Sequence, residues 1–148
     1  MKLLRALIAP ALVLSFAVSS MAAEWMTDYN AAVALSKKTG KPILADFTGS
    51  DWCGWCIKLH KEVFDTPQFS TWAKKNVILL ELDYPRSKPQ TDKIKKQNAG
   101  LAQKYQIQGY PTILFLNAKG TKLGEYGYDQ GGPSVWTKKA ETMFKGKK

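Results

Sequence analysis

Two spacings of apolar residues alternate along the chain from residue 27 onward. Tyr29, Ala32, Val33 and the Leu35–Ser36 pair recur at helical intervals. Thr27 or Asp28 can cap that run and Gly40 can end it, which predicts a first helix through about Lys38. Lys41-Pro42 then leads into PILADF (42–47), a short apolar run suited to a buried strand. Ile57, Leu59, Val63 and Phe64 predict one face of a second helix. Thr66 as cap, with Pro67 at the first helical position, starts a third whose inward residues are Phe69, Trp72 and Ala73. NVILLELD (76–83) is the clearest buried strand, and Tyr84 to Pro89 is a polar, proline-rich break. Thr91 to Tyr105 reads as a weak helix that Gly100 tends to interrupt. TILFL (112–116) is a strand, NAKG a turn, and TKLGEYGY (121–128) an alternating edge strand. Ser134 opens a last helix carrying Val135, Trp136, Ala140, Met143 and Phe144. The order α, β, α, α, β, α, β, β, α, without repeat or linker, predicts one α/β domain on a mixed sheet.

The first 22 residues follow neither rhythm. Lys2 and Arg5 precede an apolar run from Leu7 to Val18, and Ser20-Met21-Ala22 has the small-residue spacing of a cleavage site. The pattern predicts a secretory signal peptide over 1–22. Cleavage after Ala22 is preferred to cleavage after Ala23, because Ser20 suits the outer small-residue position better than Met21. Pro10 breaks the apolar run, which falls short of the ~20 residues a spanning helix needs. The mature domain, 23–148, is expected to be soluble and either periplasmic or extracellular. Its length, about 125 residues, suffices for one domain with a real core. Loss of Lys2 and Arg5 lowers the formal charge of +10 to about +8. The lysines are scattered, not gathered in a stripe with interleaved aromatics, so a nucleic-acid surface is a poor reading. A solvated basic surface, with some attraction to acidic partners or anionic lipid, fits better.

Chemistry enters with SDWCGWCIK (50–58), which holds both cysteines of the chain, Cys53 and Cys56. Haem attachment needs a histidine directly after the second cysteine, where Ile57 stands. Zinc needs about four ligands, and the chain has two cysteines and one histidine, His60. Neither a metal nor a cofactor is therefore expected. A structural staple gains little from so short a loop, since the stabilisation grows with the length closed. A redox-active dithiol is the reading that fits, with an inert disulfide as the residual one. The pair follows the PILADF strand and a short loop, at the start of the next helix. Unpaired N–H groups and the positive end of the helix dipole there favour the thiolate, the species that attacks disulfides. Cys53 is expected at the exposed tip, and Cys56, one turn later, facing inward.

DFTGSDWCGWC (46–56), followed by QIQGYPTILFL (106–116), resembles the thioredoxin superfamily, and secreted bacterial thioredoxin-like proteins in particular. The similarity runs from about Trp25 to Phe144. It implies an α/β, thioredoxin-like fold: a central mixed β-sheet of four or five strands, helices on both faces, and the dithiol at a strand end. It implies a redox disulfide between Cys53 and Cys56. Pro111 would be cis, and Tyr110 would offer backbone groups that pair with a substrate chain like an added strand. Trp52, Gly54 and Trp55 complete the implied substrate-binding set. Asp46 matches the family's buried acid that moves the inner cysteine's proton, although its loop to Cys53 is one residue longer than usual. A lone carboxylate in that strand is costly to bury unless paired or used; the alternative is an Asp facing solvent. Asp51 reads as loop-exposed. Trp55 replaces the proline of typical thioredoxins and the histidine of many oxidases. An indole carries no titratable charge, so a less oxidising couple than in the histidine-bearing relatives is expected. Trp55 can equally be an apolar contact for unfolded substrates. His60 reads first as a surface helix histidine and second as a modulator of the pair.

These readings converge on a thiol–disulfide oxidoreductase acting on protein disulfides as reductase or isomerase, in which Cys53 attacks and Cys56 resolves. Its expected partners are disulfide- or thiol-bearing proteins and a redox partner protein, such as a membrane electron donor. The domain is expected to be a monomer. The rival from another class is a non-catalytic thioredoxin-fold binding module with a vestigial disulfide.

Overall fold

The computed structural model describes residues 23–147; the leader predicted over 1–22 lies outside them. Strand β1 (Ile43–Thr48) is buried along its whole length and has neighbours on both edges. β2 (Ile78–Asp83) lies parallel to it, pairing Asp46 with Glu81, and β3 (Thr112–Leu116) lies antiparallel, pairing Asp46 with Ile113. β4 (Lys122–Tyr126) closes the far edge, giving the order β2-β1-β3-β4. A parallel pair needs a crossover. α2 (Gly54–Leu59), continuing as a π-helical turn (His60–Phe64), and α3 (Pro67–Asn76) supply it between β1 and β2. α1 (Tyr29–Thr39) precedes β1, α4 (Asp92–Lys104) joins β2 to β3, and α5 (Gly132–Phe144) ends the fold.

Strand alternation sorts the core into two layers. Leu44, Leu79, Ile113 and Phe115 pack with residues of α2, the π turn, α3 and α5. Ile43, Ala45, Phe47, Leu80 and Leu114 pack on the opposite side with Ala32 of α1 and Leu101 of α4. Helices thus cover both faces, as expected. Among the described residues the sheet has four named strands, and Met26 adds one parallel bridge to Leu80 at the β2 edge. Its N–H donates to Leu79 O at 3.0 Å and its carbonyl accepts from Glu81 N at 2.8 Å. That covers part of an edge otherwise open to pairing.

Caps account for the helix starts. Asp28, Thr66 and Thr91 each accept a backbone N–H with the side chain, and Gly40 ends α1 in a left-handed conformation. Three expectations need correction. Gly100 does not interrupt α4, which runs unbroken from Asp92 to Lys104. Ile57 is off the core face, at 48% exposure, because the π turn changes the helix phase so that Leu59, Val63 and Phe64 are buried together. Leu35 and Val135 are likewise exposed.

Trp136 is fully buried, meets Phe64 edge-on at 5.2 Å, and donates its indole N–H to Gly127 O at 2.9 Å. Trp136→Ala should cost about 3–5 kcal/mol. It should lower the urea midpoint without changing the slope of the transition; a loss below about 1 kcal/mol would contradict this packing.

Candidate active site

The loop after β1 folds back on itself before the helix begins. Cys53 N–H donates to Gly49 O at 2.8 Å, and a Cβ at Gly49 would collide with the Trp52 indole. Cys53 is the N-cap of α2 in extended backbone conformation, and the Cys56 N–H points at its sulfur at 3.2 Å. The two cysteines form a disulfide with Cα atoms 5.2 Å apart. Both are largely buried, so the exposed tip expected for Cys53 is reduced to 7% exposure against 1% for Cys56. The order of accessibility is the expected one. In the reduced protein the same N–H would favour a Cys53 thiolate.

One flank is braced by hydrogen bonds. Asp51 is not a free loop carboxylate: it accepts the N–H groups of Arg86 (3.0 Å), Ser87 (2.7 Å) and Lys88 (3.1 Å), which lower its pKa. Ser50 donates N–H and Oγ–H to Asp83 at 2.9 and 2.6 Å. Trp52 donates its indole N–H to Tyr84 O at 2.8 Å, meets Tyr110 edge-on at 5.7 Å, and carries the Arg86 guanidinium 4.1 Å from its ring. The Tyr110–Pro111 peptide is cis.

The other flank is open. Trp55 is 57% exposed and rests 5.1 Å from the Tyr128 ring, with the Lys58 ammonium 5.2 Å from the indole. Tyr128 is tied down by its hydroxyl, which donates to Glu62 Oε2 at 2.7 Å. Gly54 is exposed, with open space where a side chain would project.

Beneath the pair lies a contact that spacing along the chain does not reveal. Asp46 is buried at 1% exposure, and its Oδ2 is 3.0 Å from His60 Nε2. Burial pushes the Asp46 carboxyl above its ordinary range, partly offset by the imidazole. Burial alone would lower His60; the Asp46 hydrogen bond and charge override it, and the net shift is upward. His60 is therefore no surface histidine. Asp46 Oδ1 and Thr48 Oγ1 have no hydrogen-bond partner among the described residues. A cleft of about 330 Å³ opens here, lined by Thr48, Cys56, His60, Glu81 and Lys88 among others.

Comparison with known proteins bears on this geometry. The family described as Thioredoxin-like domain matches residues 29–131. Disulfide bond reductase DsbH of Chlamydia pneumoniae is 32% identical over 117 residues, covering 79% of this chain and 70% of DsbH. Thioredoxin-related protein DsbJ of the same organism is 33% identical over 72% of this chain, which spans only 32% of DsbJ. Among solved structures, DsbH oxidoreductase superposes with a TM-score of 0.82 at 28% identity, over 95% of this chain and 96% of that one. The fold is thioredoxin-like.

Two outcomes follow from the site's geometry. Cys53 of the reduced protein should alkylate with a midpoint below the ~8.5 of a free cysteine; a midpoint at or above it would remove the capping argument. His60 holds its proton in the folded state above the ordinary 6.5. Its stabilising contribution is thus complete below about pH 6.5 and lost as pH rises through the raised folded value. The buried Asp46 carboxyl, also shifted upward, acts with the same sign. The urea midpoint of the oxidised protein should fall as pH rises above about 6.5, and His60→Gln should flatten that slope. Equal slopes in the two proteins would show that the pair does not titrate with folding.

Proposed function

We propose that this chain, which belongs to the thioredoxin-like family, reduces or isomerises disulfides in exported proteins, with Cys53 as attacking thiolate and Cys56 as resolving thiol. It is a thiol–disulfide oxidoreductase; direction, client and residue roles are the proposal. The single observation that carries it is the Cys53–Cys56 disulfide at the start of α2, with the Cys56 N–H aimed at the outer sulfur. In the proposed cycle the Cys53 thiolate attacks a protein disulfide, forms a mixed disulfide and releases one client thiolate. Cys56 then attacks Cys53, the mixed disulfide breaks, and the second client sulfur leaves as thiolate. Two electrons pass to the client, and a second redox protein returns them to the pair.

Reduction is favoured over oxidation because Trp55 supplies no cationic group beside the pair. The name of the relative DsbH, a disulfide bond reductase, points the same way. Trp55 and Tyr110 are proposed as client contacts, with Trp52, Gly54 and Pro111 shaping the groove between them. Asp46 is proposed as the buried acid that helps remove the Cys56 proton, a reading supported by its burial. The charged start and apolar run of residues 1–22 support export of a domain beginning at Ala23.

Insulin reduction by the purified protein should vanish in Cys53→Ser. In the native host, Cys56→Ser should accumulate client proteins in bands that disappear on reduction, and the recovered protein should begin at Ala23. Trapping by Cys53→Ser instead would reverse the assignment of the two thiols. If neither variant traps a protein and insulin is untouched, the exchange reading fails.

A further inference from the structure

His60 has no part in the cycle above, yet it touches the buried acid and lines the same cleft as the inner cysteine. It follows Cys56 by four residues, so both side chains leave the same face of the helix. Both line the cleft of about 330 Å³ beneath the pair, whereas Asp46 is not among the cleft's walls. What Asp46 touches is His60, at 3.0 Å. With Asp46 ionised, its carboxylate can only accept, which puts the hydrogen on Nε2 and leaves Nδ1 without one in the neutral ring. Nδ1 lies 3.6 Å from Asp65 Oδ1, and Asp65 also lines the cleft. Cys56, His60 and Asp65 thus share one cleft, and the ring nitrogen that Asp46 leaves open is the one nearer Asp65.

We propose that His60, held in this tautomer by Asp46, takes the Cys56 proton through the cleft during resolution, so that Asp46 acts on the thiol by way of the imidazole. The proposal rests on Cys56 being the resolving thiol. Cys56 Sγ–H gives its proton, relayed by solvent in the cleft, to His60 Nδ1. The resulting thiolate forms the Sγ–Sγ bond to Cys53 while the Cys53–client bond breaks. The client sulfur leaves with the electron pair, and the imidazolium later returns its proton to bulk solvent. Asp46 is then a positioning residue that fixes the ring and stabilises its cation, the division of labour seen in serine-protease triads.

The surroundings favour that cation. Asp46 faces the ring from β1, Glu81 acts on it from β2, and Asp65 from the end of its own helix. Asp83 of β2 acts on Asp46, and Lys61 and Lys88 are the ammonium groups on the cleft wall. Trp25 covers the ring at a centroid distance of 5.7 Å and shares its surface with Phe64.

Stopped-flow reaction of the reduced protein with dithiobis-nitrobenzoate separates the steps, since each releases one coloured thiolate. The first release reports attack by Cys53, and the second reports resolution by Cys56. In His60→Gln the second phase should slow at least about tenfold at pH 7 and recover as pH rises, as loss of a general base requires. The first phase should change less than about twofold. Asp46→Asn should behave alike, and the double variant no worse than either single one, because the two act as a unit. Equal slowing of both phases, or an unchanged second phase, would overturn the proposal. Should His60→Gln fail to fold, the chain's single histidine gives an unambiguous NMR titration in the reduced native protein. That curve should carry a second inflection from Cys56 ionisation that Cys56→Ala lacks; identical curves would overturn the proposal as well. The small reagent needs no protein client, so failure of the proposed function in the client assays would leave this readout intact.

Discussion

Burying Asp46 on the helix-covered side of β1 takes an ionisable group out of water at a cost of several kcal/mol, and the His60 imidazole 3.0 Å away is what offsets it. Strand parity puts Asp46 on the same side as Leu44, the side packed by α2, α3 and α5. Glu81 and Ile113 flank it in register on the neighbouring strands, and neither can neutralise a carboxylate. The partner must come from above the sheet, and the π turn that continues α2 provides it one turn after Cys56. One contact therefore ties the central strand to the helix that carries the disulfide. Trp25, its ring tilted against those of His60 and Phe64, seals it from the side.

The loop entering that helix is held just as firmly. Asp83, at the end of β2, accepts two hydrogen bonds from Ser50, while Asp51 gathers three N–H groups from the 86–88 segment. Trp52 is pinned to Tyr84 between them. A site whose supporting residues are fixed this way holds its reacting atoms in place without reordering at each turnover. The N-cap geometry of Cys53 follows from these braces, since the turn from Gly49 leaves the chain extended at the residue where the helix begins.

Most of the fold was legible because its signals are local. Asp28 and Thr66-Pro67 announce their helices through cap chemistry, and the short apolar runs of β1, β2 and β3 announce buried strands even with Asp46 and Glu81 inside them. Gly100 misled because its cost in a helix, about 1 kcal/mol, is small beside tertiary support: Leu101 is buried, and Asn98 donates to Asp83 O at 2.9 Å. Ile57 misled because a spacing argument assumes one constant helical period, and the π turn at His60 breaks it. The Asp46–His60 contact was out of reach for a different reason. It joins a strand residue to a helix residue, and needs both the parity of β1 and the start of α2 before either side chain has a direction. Asp51 was misjudged likewise, because its partners are backbone groups of a distant loop.

The two sulfurs sit in opposite electrostatic surroundings, and that difference orders the chemistry. Cys53 caps the helix, with a backbone N–H on its sulfur. The tryptophans on either side of it carry cations on their rings, Arg86 on Trp52 and Lys58 on Trp55. The N–H on the Cys53 sulfur favours negative charge at the outer position. Cys56 is more deeply buried and opens on the cleft where Glu81 and Asp65 stand, with Asp46 behind His60. Burial and nearby carboxylates hold a proton on a thiol. In the proposed cycle the outer sulfur would be a thiolate before a client arrives, and the inner one would keep its proton until resolution. An inner thiol kept neutral does not compete with Cys53 for clients, but its proton must be removed inside the fold during resolution. The imidazole one turn below Cys56 is the group whose protonation the same carboxylates make easier.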